Sequence, residues 1–494
     1  MSLMHFPRTS TMLLVLGGCF SAYPQVQFQL DTTFRTEILS QNVNSVLTLS
    51  NGKVMISGRF RFPGDMNDTY LDRLLENGER DDSYSSVLNS GLGGGKITPW
   101  QEDRFYVAGG LLIRRITLPD GANDPSWQVG NSVIPFFLPI QPGDYHVFPD
   151  GRILLSGTHE LDDEARGFVG NYDLIWFSNT GYLDTTRTHR RGNGQVGRFQ
   201  PLPNDQFIGS CTCTEMEGVP VGRIFRFNAD GSTDPTFQSG VFIGAAYGYL
   251  PLADGRCYVG GNFQRTAAPE DTLRLVRFLV DGSLDPSFTI PHFTTSIPNP
   301  FGPVIGNLYP MPNGRLIAVG FFEEVNGLPR RGICMLDSTG QVTDAFDDCG
   351  VGPFETDILT YASISRISMD TINDHMYLSG AYNGYDDGTT NDTLQRFVSR
   401  LLVEDLPTNT ATNERHALRV FPNPATTSTT LELAQLPASA KLTVRDALGR
   451  ALWHQTVHAY NTTLDLQTLS DGLYILELRS NEQRLAVQRL VVQH

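Results

Sequence analysis

The chain is short of the residues from which disulfide frameworks, nucleic-acid surfaces and membrane spans are built. Six cysteines stand among 494 residues, and loss of a leader carrying Cys19 leaves five, an odd number that excludes a disulfide framework. Lysine and arginine number 37 against 53 aspartates and glutamates, a formal charge of -16. An excess of anions this large, with no basic patch interleaved with aromatics, argues against nucleic acid or an anionic membrane as the main partner. No apolar run reaches transmembrane length. Catalytic motifs are missing as well. The ten histidines are scattered, with no His-Glu-x-x-His, no Gly-x-Ser-x-Gly and no phosphate-cradling glycine loop. Gly91-Leu-Gly-Gly-Gly95 sits between short strands and opens no helix, so it reads as a loop.

What the chain has in quantity is turn residues and aromatics: 48 Gly, 29 Pro, 29 Phe and 17 Tyr, the balance of a large extracellular β protein. They recur with a period. Gly58, Gly109, Gly157, Cys211, Gly261, Gly320 and Gly380 fall in one column. Six positions earlier each unit carries a turn residue, as in Asn51-Gly52 or Asp254-Gly255, flanked by apolar β-branched runs. Asn-Gly and Asp-Gly accept the positive φ of tight hairpins, so each unit predicts a small antiparallel sheet. A second marker opens each unit: Asp31-Thr-Thr-Phe34, Asp81-Asp-Ser-Tyr84, Asp124-Pro-Ser-Trp127, Asp184-Thr-Thr-Arg187, Asp234-Pro-Thr-Phe237, Asp285-Pro-Ser-Phe288 and Asp344-Ala-Phe346. Its Asp can accept backbone N–H groups in a turn, and its aromatic can fill space between sheets. A feature present seven times builds scaffold, since an enzyme needs one site.

Units of about fifty residues with about four strands cannot cover both sheet faces alone, so neighbours must stack in a ring. The expected fold is all-β: a seven-bladed β-propeller over residues 23–402, followed by a small Ig-like β-sandwich. The chain starts Gln27–Asp31 without a preceding strand, and Arg396–Leu402 has no motif after it. The last strand is therefore expected to complete the first blade.

The stretches Gly320–Phe346, GRIFRFNADGSTDPTF and LRLVRFLVDGSLDPSF resemble the delta-60 repeat of bacterial surface propellers. Residues 1–22, with Arg8, the apolar Met12–Gly18 and small residues around Ser21, read as an export signal. Leu16-Gly-Gly-Cys19 also resembles a lipoprotein box that would tether the protein at Cys19. Past a polar linker at 403–417, residues 418–494 carry a separate β pattern. There Val420-Phe-Pro-Asn-Pro424, Arg445-Asp-Ala-Leu-Gly-Arg450, Leu469–Leu476 and Arg489–Val492 resemble, in family order, the C-terminal sorting domain of the type IX secretion system. Pro422, Asn423, Pro424, Asp446, Gly449, Gly472 and Tyr474 are the landmark positions. The resemblance implies a Bacteroidetes-type bacterium, handling by the outer-membrane translocon, and release or attachment at the cell surface.

Departures from repetition mark where function should be sought. The run from motif Asp to turn is longest in units three, six and seven. These insertions occupy the same connection and should emerge on one face, where loops on a rigid scaffold bind ligands. The enlarged connections hold His292, Phe293, Asn299 and Phe301, and Asp347, Asp348, Phe354, Glu355, Asp357 and Tyr361. Aromatics beside carboxylates suit a glycan or a protein ligand, and Pro291, Pro298, Pro300 and Pro303 equally suit a merely stiffened loop. In the second reading the protein is a secreted carbohydrate-active hydrolase or lyase using Asp347, Asp348, Glu355 or Asp357, since propellers assemble acid pairs from distant blades. Asp386, Asp387, Asn391 and Asp392 in a glycine-containing loop suit calcium, or a solvated acidic turn; Asp65, Asn67 and Asp68 read the same way. Cys211 and Cys213 with Cys257 suit a metal or small buried thiols, and Cys334 and Cys349 could bridge a strand to a loop.

Overall fold

A computed structural model describes residues 26–404 and 418–494, apart from 50, 85–93, 102, 110–111, 119, 128–135, 301, 371–372, 434–439, 447–450, 460 and 481–482. The leader, Cys19, most of the linker, Phe301 and Gly449 thus lie outside the described residues.

Each repeat folds as three antiparallel strands, here called inner, middle and outer in chain order. In unit one these are Ser40–Thr48, Val54–Arg61 and Thr69–Leu74, and in unit five Val241–Pro251, Cys257–Arg265 and Ala268–Phe278. The Asn-Gly or Asp-Gly turn joins inner to middle at one end of the unit, with Gly52, Gly151 and Gly255 at positive φ. The expected fourth strand shrinks to one isolated bridge at the residue before the next motif Asp, as in Leu74–Arg80, Phe227–Thr233 and Phe278–Leu284. Inner strands of neighbouring units pack side by side, and unit seven packs against unit one.

The closure runs opposite to expectation. Arg396–Leu402 lies within the outer strand of unit seven, Asn391–Glu404, and Gln27–Leu30 adds to that strand, from Gln27 opposite Glu404 to Leu30 opposite Leu401. The N-terminal strand thus supplies in full the edge that other units make with one bridge. Unit one needs nothing from the C-terminal side because its own three strands already form a sheet.

The glycine column has a steric cause. In all seven units the inner strand bulges at one level, between Val43 and Ser45 in unit one and between Ile364 and Arg366 in unit seven, opposite the column. There the inner backbone crosses close above the middle strand: a Cβ on Gly320 would lie 2.0 Å from the Val304 carbonyl oxygen, and one on Gly380 2.0 Å from that of Ser363. At these positions only glycine leaves room. Where Cys211 takes the place, its sulfur bonds Cys213. Of the cysteine expectations, the metal reading loses two of its three sulfurs to that disulfide. The Cys334–Cys349 bridge is not formed, both thiols being free and buried.

The motif Asp does more than cap a turn. Its Oδ1 takes the backbone N–H and hydroxyl two residues on, as Asp285 does from Ser287 at 2.9 and 2.7 Å. Its Oδ2 takes a buried arginine from the end of the preceding unit: Arg73–Asp81 at 2.7 Å, Arg115–Asp124 at 2.6 Å, Arg226–Asp234 at 2.8 Å and Arg277–Asp285 at 2.7 Å. The guanidinium lies over the motif aromatic, 5.2 Å from the Phe288 ring centre for Arg277, and donates to a carbonyl of the next unit, here Ser338 at 2.6 Å. Arg400 repeats this across the closure with Asp31 at 2.7 Å, the Phe34 ring at 4.8 Å and the Glu76 carbonyl at 2.7 Å. Burial would raise the Asp31 carboxyl, but hydrogen bonds from Thr33 and Arg400 hold it below its ordinary value. The same balance puts Asp234 at about 2.

Residues 418–494 form two antiparallel sheets, of three and four strands, around a core that includes Leu431, Leu442, Leu464, Leu476 and Leu490. Among the described residues, no helix is long and apolar enough to cross a membrane.

Candidate functional site

The end of the repeat array opposite the hairpin turns carries the middle-to-outer loops and the arrivals into the inner strands. There the insertions of units six and seven meet and enclose a cleft of about 670 Å³. Ser296–Pro298 contributes from unit six. Gly350–Pro353, Glu355 and Thr360 come from the seventh connection, and Asn383–Asp386 from the end of the unit-seven middle strand.

Its charges are mostly committed. Glu323 accepts from the Ser296 hydroxyl at 2.7 Å, the Thr295 hydroxyl at 3.0 Å and the Ile297 N–H at 3.3 Å. Burial would raise its carboxyl, but these bonds and the Ser296 N–H hold it below its usual range. Arg331 reaches the Asp348 carbonyl at 2.9 Å and Asp386 at 3.2 Å. Glu355 is exposed on the two-stranded hairpin Phe354–Glu355 with Thr360–Tyr361 that stands at the cleft.

The candidates of the enlarged connections separate under this geometry. Glu355 lines the cleft, and Tyr361 pairs with Phe354 in the same hairpin, whose exposed turn carries Asp357. Asp347 takes the buried Arg330 at 2.6 Å, and Asp348 takes Arg331 at 3.4 Å. Phe293 is buried edge-on against Phe322, 5.0 Å between ring centres. His292 is exposed, its N–H on Asn326 at 2.8 Å. Asn299 lines a second cleft of about 540 Å³ beside Tyr247 and Asn262. Asn383, Asp386 and Asn391 line the cleft from the acidic stretch that the sequence marks as a calcium candidate, whereas Glu323 and Arg331 carry no mark in the sequence beyond the length of the neighbouring connections.

The acidic loop of unit seven serves the closure. Asp387 accepts the Leu30 N–H at 2.7 Å, and Asp392 takes Arg35 at 2.8 Å. Asp386 faces Arg331 and pairs across the hairpin with Asn391. Among the described residues no three His, Cys, Asp or Glu side chains are placed to hold a metal ion. In unit one, Asp65 takes Arg80 at 3.0 Å and Asp68 takes Arg59 and Arg61 at 2.7 Å each.

In the C-terminal domain the landmark residues lock its two ends together. The Asn423 side chain accepts the Val491 N–H at 2.8 Å, and the Pro422 carbonyl accepts the Thr429 hydroxyl at 2.8 Å. Tyr474 is buried opposite Asp446, its hydroxyl on the Ser470 carbonyl at 2.8 Å, and Gly472 begins the same strand opposite Val492.

Residues 419–493 match the secretion system C-terminal sorting domain. Residues 213–237 and 252–288 match a domain of unknown function, DUF5122, described as a β-propeller. The chain is similar to the extracellular domain of a hybrid two-component system of B. thetaiotaomicron, with 12% identity and a TM-score of 0.38, covering 96% of this chain and 59% of that one. It is similar to PorZ, a surface component of the type IX secretion system of Porphyromonas gingivalis, with 13% identity and a TM-score of 0.26, covering 92% and 81%. It is also similar to virginiamycin B lyase from Staphylococcus aureus, with 11% identity and a TM-score of 0.37, covering 76% and 99%. No curated protein matches. The chain thus joins repeats of β-propeller type to a type IX secretion sorting domain that marks it for export to the cell surface or for secretion.

Proposed function

We propose that this exported chain is a binding module, a seven-bladed propeller that holds out the cleft between units six and seven to a glycan or protein ligand outside the cell. The observation that carries this reading is the coincidence of the two longest connections at one cleft on an otherwise repetitive scaffold. The cyclic packing of inner strands and the pairing of Gln27–Leu30 with the last repeat strand support seven blades.

The cleft's polar groups favour binding over hydrolysis. Glycoside cleavage by two carboxylates needs one to act as acid and the other as base or nucleophile. Glu323 is held by Ser296, Thr295 and Ile297, and Asp386 faces Arg331, while of the four acids of the hydrolase reading only Glu355 lines the cleft. Arg331, Glu355 and the backbone of Gly350–Pro353 and Asn383–Gly384 offer donors and acceptors of the kind that orient a ligand.

A glycan array and a polysaccharide-depolymerisation screen of the full chain, with and without calcium, test the reading. The expected result is binding without cleavage, weakened at least tenfold by Arg331→Ala or by Glu355→Gln. Cleavage products lost in Glu355→Gln would replace it with the hydrolase reading. Calcium-dependent binding would assign the unit-seven loop a metal.

A further inference from the structure

The bulge that all seven inner strands share places one set of side chains at one level around the axis. Bulges re-aim side chains. In units two, three, four and seven the residues in or ending the bulge include Lys96, Asp144, Arg198 and Arg366. Lys96 Nζ donates to Asp144 at 3.0 Å and to the Tyr145 carbonyl at 2.7 Å. Arg198 donates to the Tyr247 carbonyl of unit five at 3.2 Å and, past it, to the Gly306 carbonyl of unit six at 3.4 Å, so it reaches into the shaft. The Arg366 Nε is buried without a hydrogen-bond partner. The charges that bear on it are those of Arg198, which opposes its own, and of Asp144.

Among the described residues Asp144 pairs directly with Lys96, which leaves Arg198 and Arg366 at the same level without an ion pair, in a molecule whose formal charge is -16. Burial, with the Arg198 charge added, pushes the Arg366 guanidinium below its ordinary value. Burial also lowers Lys96 against the pull of Asp144. Arg198 is exposed and Lys96 and Arg366 are partly buried, so an anion can reach all three, and the buried, unpartnered Arg366 Nε favours one. Tyr247, whose ring centre lies 5.6 Å from the Arg198 guanidinium, also lines the second cleft.

We propose that this shaft binds a dianionic oxyanion, a sulfate or phosphate group free or esterified to a sugar, through Lys96, Arg198 and Arg366. Two excess positive charges match a dianion, and guanidinium forks match its oxygens in pairs. This site is separate from the cleft between units six and seven and does not depend on it.

Calorimetric titration of the full chain with inorganic sulfate and phosphate, at ionic strength matched with chloride, tests the proposal. One dianion should bind per chain, at least tenfold more weakly in Arg366→Gln. Asp144→Asn should bind severalfold more tightly, a gain that misfolding cannot produce. No heat beyond chloride, unchanged binding in Arg366→Gln, or weaker binding in Asp144→Asn would overturn it. Galactose 6-sulfate and galactose distinguish the source. Retained affinity for the ester supports an anionic sugar, and binding of the inorganic ions alone supports a free ion. Equal binding of neutral galactose would overturn the oxyanion assignment.

Discussion

Each junction between units carrying the arginine and aspartate is tied by a buried ion pair, and the exceptions show what the pair requires. Met335 takes the arginine's place before Asp344, and there the aspartate is exposed, whereas Asp184, preceded by Trp176, stays buried on the Thr186 N–H and hydroxyl. Trp176 and Arg187 stand where the arginine and the aromatic are found elsewhere. Removing one member of a buried pair strands the other, at a typical cost of about 3–5 kcal/mol. Arg226→Ala, which strands Asp234, is therefore expected to destabilise the repeat domain by about that much in urea unfolding, and Arg226→Met with Asp234→Asn to recover much of it. A double variant no better than the single would show that the arginine's carbonyl and ring contacts, rather than the stranded charge, set the cost. Acid dependence follows from the same aspartates. Asp31, Asp81, Asp124, Asp234 and Asp285 are held below the ordinary carboxylate value, so the folded chain binds fewer protons than the unfolded one below about pH 4. Their contribution is full above 3.8 and lost as pH falls through the folded values. Between 4 and 6.5 the slope should be shallow. His146, His159 and His189, pushed by burial to about 4, and His375, also lowered by burial, favour higher pH, while Asp72 and Asp173, raised by burial to about 6, offset part of this. Melting temperature against pH should fall gently to about 4 and steeply below; a steep fall already at 6 would show that the histidines dominate.

Among strands, turns and loops, the repeat period and hairpin turns were legible because glycine at positive φ leaves a one-residue signature. The ion pair was not, although its signal was present. An arginine stands eight or nine residues before the next motif Asp in units one, two, four and five, at Arg73, Arg115, Arg226 and Arg277. Read singly, each resembles an ordinary surface arginine at the end of a strand. The cleft was legible as insertion length and in Glu355, Asp386 and Asn391, while the rest of its charged lining, Glu323 and Arg331, lies within regular parts of unit six. The direction of closure was misread because a four-residue strand without a hairpin partner carries no register in sequence. The bulge gives a test at this scale. Gly320→Ala, whose Cβ would meet a backbone oxygen at 2.0 Å, should prevent normal expression or lower the melting temperature by 10 °C or more, roughly the effect of several kcal/mol. Gly327→Ala meets nothing within 4 Å and bears only the strain of its positive φ, about 1–2 kcal/mol. Similar melting temperatures for the two would remove the steric account of the column.

For the whole molecule, the two parts answer to different demands. Every apolar cluster of the repeat array is built from residues 26–403, and the C-terminal cluster lies within 420–492, with no residue shared. Cooperative unfolding follows shared cores, so separate cores should melt separately. The ring's closure belongs wholly to the repeats, since Asp387, Asp392, Gln395 and Arg400 hold residues 30–35. The landmark residues of the sorting domain, in turn, hold strands of that domain, as Asn423 does with Val491. A chain ending at Glu404 should therefore keep the high-temperature transition of the full protein within a degree or two and bind the same ligands, yet stay inside the outer membrane of a type IX-competent host. Calorimetry and cell fractionation of the two forms read these outcomes independently. A shortened chain that melts far lower would mean that the sorting domain also props the ring, and one that still reaches the surface would place the export signal elsewhere in the chain.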